Sequence, residues 1–128
     1  MGCINWCDLP GEAGAGSQWD ATVRFGQGVV LGDGVRISPG AVLYDNVRVG
    51  DGSFIGPNVV LGEPLRTFYE EPTYTNPPLE VGERSVIRTG SVLYAGSTIG
   101  PRLETGSYAT VREHTDAGCD CLFGNFAD

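Results

Sequence analysis

Large apolar residues recur at every sixth position through the middle of the chain. Phe25, Leu31, Ile37, Leu43, Val49, Ile55 and Leu61 keep one phase without a slip. Two residues before each of these stands Val23, Val29, Val35, Ala41, Val47, Ser53 or Val59, nearly all small or β-branched. Three residues after come Gly28, Gly34, Gly40, Asn46, Gly52 and Asn58, and only Gly or Asn appears in that column. A period of six fits neither a lone helix, which repeats at about 3.6, nor a lone strand, which repeats at about 2. It fits a solenoid of three short strands per coil with a turn at each corner. The two apolar columns are then the inward side chains of each strand, two apart and on one side of the pleat. The Gly/Asn column supplies the positive φ that closes each turn. Three repeats make a coil of about 18 residues.

The pattern resumes at Val81, Ile87, Leu93 and Ile99, with Ser85, Ser91 and Ser97 two residues before the last three. It weakens at Thr105 and returns at Val111, Ala117 and Phe123. Between the two blocks lies an inserted loop, 65–78, that leaves from one corner and comes back to it. Its surroundings hold four prolines, and Phe68, Tyr69 and Tyr74 give it contact surface. A stretch of this kind inside a regular fold is usually functional or disordered. The expected organisation is an N-terminal cap or irregular segment over 1–22 and an all-β, parallel β-helix over 23–128.

Charge narrows the list of partners. The chain carries 8 Lys and Arg against 16 Asp and Glu, a formal charge of −8. That balance argues against nucleic acid, which is held by cationic side chains on phosphates, and against an anionic membrane surface. No apolar run reaches the roughly 18 residues of a membrane span. The N-terminus has neither a basic segment nor an apolar core, so it does not read as a signal peptide, and a soluble cytoplasmic protein is expected. Cys3, Cys7, Cys119 and Cys121 miss the common zinc spacing, so free thiols and no metal are expected.

The hexapeptide repeats, with "IGPNVVLGEP", the Pro-rich insertion, "NPPLEVGERSVIRTGSVLYAGSTIG", "REHT" and "FGNFAD", resemble the left-handed β-helix acyltransferases, and among them the sugar acetyltransferase-like members. The resemblance spans about Val23 to Asp128. It implies a left-handed coil, since the period alone sets no hand. It also implies a homotrimer, an acyl-CoA in the groove between neighbouring helices, and a His as base. The expected reaction is acetyl transfer from acetyl-CoA to the amine or hydroxyl of a sugar or nucleotide-linked sugar. Members of this type continue with further coils beyond "FGNFAD", whereas this chain stops at Asp128. The alternative is therefore a non-catalytic β-helix, a truncated relative that serves as a structural or assembly module. A β-helix carbonic anhydrase would need three His ligands on zinc, and the chain has 1 His.

Stacking by coils gathers the candidate chemistry. His114 falls in a column with Gly96, Pro64, Asn46 and Gly28, at the corner from which the loop departs. A neutral imidazole there suits removal of a proton from the attacking group. Glu113 and Asn125 are candidates for orienting groups and for a hydrogen bond to the developing oxyanion. Arg84 and Arg102 share a corner column, and with Arg112 they are the candidate cations for cofactor phosphates. Arg112 stacks on Tyr94, with Gly62 and Tyr44 below. Tyr44, Tyr94, Tyr69 and Tyr74 are candidate stacking surfaces for the substrate.

The outward residues of one face read Arg24, Val42, Val60, Val92 and Thr110, an apolar stripe suited to a trimer of prisms. Trp6 and Trp19 are placed to cap the first coil. Leu122, Phe123 and Phe126 lie at the other end, where end-to-end association is expected.

Overall fold

The computed structural model of the protein describes residues 4–124. Short strands wind through them into three parallel sheets, the faces of a triangular prism. The first face stacks Glu12–Ala13, Val30–Leu31, Val47–Val49, Leu79–Val81, Thr98–Ile99 and Asp116–Ala117. The second stacks Gln18–Trp19, Arg36–Ile37, Phe54–Ile55, Val86–Ile87, Glu104–Thr105 and Leu122–Phe123. The third stacks Arg24–Phe25, Val42–Leu43, Val60–Glu63, Val92–Tyr94 and Thr110–Val111. The chain visits the faces in that order, so every neighbour in a sheet is one coil away. This is the all-β parallel β-helix of hexapeptide repeats that the period requires.

The coils begin before Val23. Glu12–Ala13 pairs with Val30–Leu31, and Gln18–Trp19 pairs with Arg36–Ile37. Ala13 and Trp19 keep the phase of six, but Gly11 and Ser17 at the companion positions carry little apolar signal. Trp19 packs edge-on against Phe25 with centroids 5.6 Å apart and so covers the first apolar layer. Cys7 exchanges two backbone hydrogen bonds with Phe25, of 2.8 and 3.0 Å, in an antiparallel bridge. That bridge covers the open edge of the third sheet, where unpaired strand groups would otherwise template another chain.

Both inward columns are buried, from Val23 and Phe25 up to Leu103, Ala109 and Val111. The corners obey the expected backbone rule. Gly28, Gly34, Gly40, Asn46, Gly52 and Asn58 all have positive φ, and in later coils Arg84, Gly90, Gly96, Arg102, Tyr108, His114 and Asp120 do as well. The left-handed position is thus kept even where the residue is unfavourable for it.

The buried hydroxyls are all engaged. Ser85 Oγ donates to the Gly82 carbonyl at 2.9 Å and accepts from the Leu103 N–H at 3.1 Å. Ser91 and Ser97 donate instead to a carbonyl of the next coil, Gly106 at 3.1 Å and Arg112 at 2.8 Å, and accept from the Ala109 and Thr115 N–H groups of that coil. Thr105, a polar residue in the large apolar column, accepts from the Arg88 N–H at 2.9 Å. Among the described residues no buried side-chain polar atom is left without a partner. These serines therefore tie each coil to the next where a valine would only fill space.

The Ser85→Ala variant should lose about 1–3 kcal/mol, because the Leu103 N–H is left buried and unpaired. A shift of the urea midpoint to lower concentration, with an unchanged slope, is the expected result.

Candidate functional site

The corner between the third and first faces is where the repeat breaks. Gly62 has φ +81, and a Cβ there would come within 2.6 Å of Val47 Cγ2. Only glycine fits, and it lets the chain swing out of the coil. The register slips at this point, so Tyr94 lies opposite Glu63 rather than Gly62. The loop then forms a single 3-10 turn, Arg66–Tyr69. Phe68 packs edge-on against both Tyr69 and Tyr74, at 5.0 and 5.7 Å.

Asn76 holds the neck of the loop shut. It is 3% exposed. Its Nδ2 donates to the Asp45 carbonyl at 3.1 Å and to the Gly62 carbonyl at 3.0 Å. Its own carbonyl accepts from Asn46 Nδ2 at 2.8 Å. The Tyr74 hydroxyl donates to Asn76 Oδ1 at 2.7 Å and accepts from the Leu65 N–H at 3.0 Å. Tyr74 is thus a strut of the neck, and burial raises its pKa. The stacking order also differs from the simple count. Gly96 N–H donates to the Pro78 carbonyl at 3.0 Å, so the returning strand, not Pro64, fills the place below Gly96. A count along the chain cannot tell which end of an insertion re-enters the column.

Above the neck, Glu63, Pro64, Arg66, Tyr69, Tyr94, Arg112 and Glu113 line a cleft of about 240 Å³. The Arg112 guanidinium lies 4.5 Å from the centroid of the Tyr94 ring, a cation–π stack. Arg112 Nε also meets Glu113 Oε1 at 2.9 Å. That hydrogen bond holds the Glu113 carboxyl below its ordinary range, with lesser help from the charges of Arg112 and His114. Arg66 pairs with Glu70 at 3.0 Å. Glu63 is half-buried, and burial raises its pKa. Its carboxylate makes no hydrogen bond or ion pair among the described residues. Tyr44 borders Gly62 and lies against the ring of Trp6, centroids 5.0 Å apart. Burial first, and then the charges of Glu63 and Tyr69, raise its pKa.

The candidates thus divide by corner. Tyr69, Tyr94, Arg112 and Glu113 meet in the cleft, with Tyr44 behind it and Tyr74 in the neck. His114 is on the same corner but turned along it. Its exposed imidazole lies over Gly96, with Cε1 and Nδ1 3.4 Å from where a Cβ of Gly96 would be, and Pro77 lies on the same spot. Arg84 and Arg102 stand at a different corner, between the first and second faces, where Arg102 makes a two-pronged pair with Asp120. Asn125 lies outside the described residues. Two residues that matter here carried no signal of their own. Glu63 looks like an ordinary turn acid, and Asn76 looks like one polar residue of a polar loop. The only hint was their place at the two ends of the insertion.

Residues 28–63 match the family model described as bacterial transferase hexapeptide (six repeats). The comparison with curated proteins gave no match. Over those residues the chain is similar to hexapeptide transferases, and the matched stretch is scaffold. It ends at Glu63, where the loop begins, so all of the cleft except that residue lies beyond it.

Two outcomes are expected at this corner. Asn76→Ala should cost about 1–3 kcal/mol by stranding the Asp45 and Gly62 carbonyls and the Tyr74 hydroxyl, and trypsin should cut after Arg66 faster than in the parent. Glu63→Gln tests the buried carboxylate through pH. A raised folded pKa means that the stability this group contributes is full below the ordinary value of 4.5 and is lost as pH rises through the folded value. The parent should therefore lose stability relative to Glu63→Gln as pH climbs from about 4.5 toward neutrality, followed by urea midpoints. Parallel curves would mean that the carboxylate is solvated or paired.

Proposed function

We propose that the chain is an acyl-CoA-dependent transferase, with acetyl-CoA as donor and a sugar or nucleotide-linked sugar as acceptor. The observation that carries this reading is the gathering of loop, cleft and imidazole on one corner of an otherwise regular prism. The hexapeptide-transferase similarity of the scaffold supports it. His114 is the proposed base. A neutral imidazole nitrogen takes the proton from the acceptor amine or hydroxyl as it attacks the thioester carbonyl. The C–S bond then breaks, and the CoA thiolate leaves and is protonated. The Tyr94–Arg112 stack offers a flat cationic surface for a ring or a phosphate. Arg84 and Arg102 stand on another corner of the same prism and do not line this cleft.

A cleft of about 240 Å³ is below the roughly 300–1,000 Å³ of a typical small-molecule pocket. It suits the sugar or the acyl end, not a whole acyl-CoA. The rest of the donor needs a neighbouring subunit, and a homotrimer in the cytoplasm is part of the proposal. Its contact would be the third face, whose Val42, Val60 and Val92 are half-buried within one chain.

The second reading, a non-catalytic assembly module, is favoured by one observation. The His114 ring is outside the cleft, and both arginines of the cleft already have acidic partners.

The test is CoA thiol release from acetyl-CoA with nucleotide-linked amino sugars as acceptors. The parent should turn over, and His114→Ala should fall at least about 100-fold with an unchanged circular dichroism spectrum. Equal turnover in the variant removes His114 from the mechanism, and no turnover in the parent favours the assembly module. Val60→Asp should dissociate the trimer, as read from native mass.

A further inference from the structure

The second face carries its outward side chains in one ladder: Gln18, Arg36, Phe54, Val86, Glu104 and Leu122, each one coil from the next. Phe54 is 45% exposed, Val86 36% and Leu122 73%. The ladder therefore holds the most exposed large apolar side chains of any face. Its order has a hidden symmetry. Two apolar rungs form the middle, a cation lies one rung before them and an anion one rung after. We propose that this face binds the same face of a second copy, with the two coil axes antiparallel.

The geometry follows from a two-fold axis lying in the plane of the face, along the strands, between Phe54 and Val86. That rotation brings Phe54 onto Val86 of the second copy and Arg36 onto Glu104. It does so twice, as an isologous contact must. A parallel arrangement would instead set Arg36 on Arg36 and Glu104 on Glu104, which is repulsive. Arg36 has no ion pair among the described residues. Glu104 has one distant partner, Arg88 at 3.9 Å, with both side chains more than half exposed.

The corner leading into this face has the matching shape. Its left-handed positions are Gly16, Gly34 and Gly52 in the lower coils, then Arg84, Arg102 and Asp120 in the upper ones. The same rotation places Arg84 over Gly52 and Arg102 over Gly34, so bulky residues meet glycines. The upper half also holds a groove of about 280 Å³ beside Val86, Glu104 and Leu122, which would receive the partner's Arg36 and Gln18. The first face fits less well: an equivalent rotation would pair Arg48 with Glu80 at its centre, but it lacks the apolar rungs. Its ladder runs Glu12, Val30, Arg48, Glu80, Thr98 and Asp116. The equivalent rotation there would press Glu12 against Asp116 and has no apolar centre.

Six rungs at about 4.8 Å make a short face, small beside the roughly 800 Å² per partner of a standard interface. The contact therefore calls for measurement at tens to hundreds of micromolar protein. It is independent of the catalytic reading, since it uses neither the cleft nor His114.

Sedimentation equilibrium of the full chain reads the outcome. Arg36→Glu alone and Glu104→Arg alone should each weaken the association at least tenfold, with circular dichroism unchanged because both side chains are exposed. An equimolar mixture of the two single variants should restore it, since each copy then offers the charge the other lacks. The double variant R36E/E104R should restore it within one chain. Failure of the mixture to recover mass, or single variants that associate like the parent, would overturn the proposal. So would a mass that responds only to Val60→Asp, which would leave the third face as the sole contact. Loss of mass on Arg36→Glu without rescue by either complement would assign the face to a ligand other than a second copy, and would also overturn it.

Discussion

Beyond the Thr22 corner, one residue in six takes a left-handed backbone, and the regular winding of the prism depends on it. Each such residue turns the chain so that the next strand lies on the next face. In the early coils glycine and asparagine meet this demand at little cost. From Arg84 onward it falls on Arg84, Arg102, Tyr108, His114 and Asp120 as well. A left-handed non-glycine residue costs of the order of 1 kcal/mol, so the later coils carry a load the earlier ones do not. In exchange, each corner projects a side chain along the prism edge. The Tyr108 ring lies over Gly90 and His114 over Gly96, so a bulky residue sits where the coil below has none. Strain alone does not single out His114, because four neighbours share it.

The interior changes character along the axis too. Valine and alanine line the small column of the early coils, and Ser53, Ser85, Ser91 and Ser97 interrupt it in the middle coils, with Leu79, Leu103 and Ala109 in the remaining places. Apolar contact is non-directional, whereas a buried hydroxyl that bonds both a carbonyl and the next coil's amide fixes a single register. The middle coils thus trade hydrophobic burial for directional stitching next to the interrupted corner, where register is most at risk. Ser91 and Ser97 flank the slip between Leu93 and Tyr94 and tie that coil to the one above it, where the register is regular again.

Most of this architecture was legible because it is periodic. The two inward columns and the corner column each repeat a single steric requirement, so residues from Phe25 to Leu61 announce the fold without reference to anything distant. Ala13 and Trp19 obey the same phase, but two repeats with glycine and serine as companions do not stand out from background. The candidate site was legible only in part. Tyr94 and Arg112 are one coil apart, and simple counting stacks them, as the structure does at 4.5 Å. Asn76 and Glu63 were opaque because their roles arise from non-periodic chain. Nothing in the sequence tells which loop carbonyl replaces a missing corner or which acid loses water. The separation of Arg84 and Arg102 from His114 was implicit in the count, since columns at different corners cannot meet within one prism.

The neck closed by Asn76 has a consequence for how such a chain can change. The ends of the insertion are held together by bonds to Gly62, Asp45 and Asn46, all outside the loop's tip. The entropy of closing a loop grows only slowly with its length, and here the closure is made by the base. The residues between Leu65 and Tyr74 are therefore close to free variables. They can be lengthened, shortened or exchanged while the coils above and below stay in register. One wall of the cleft is in this sense a cartridge, and the selectivity of the corner can drift over generations without the prism having to be solved again.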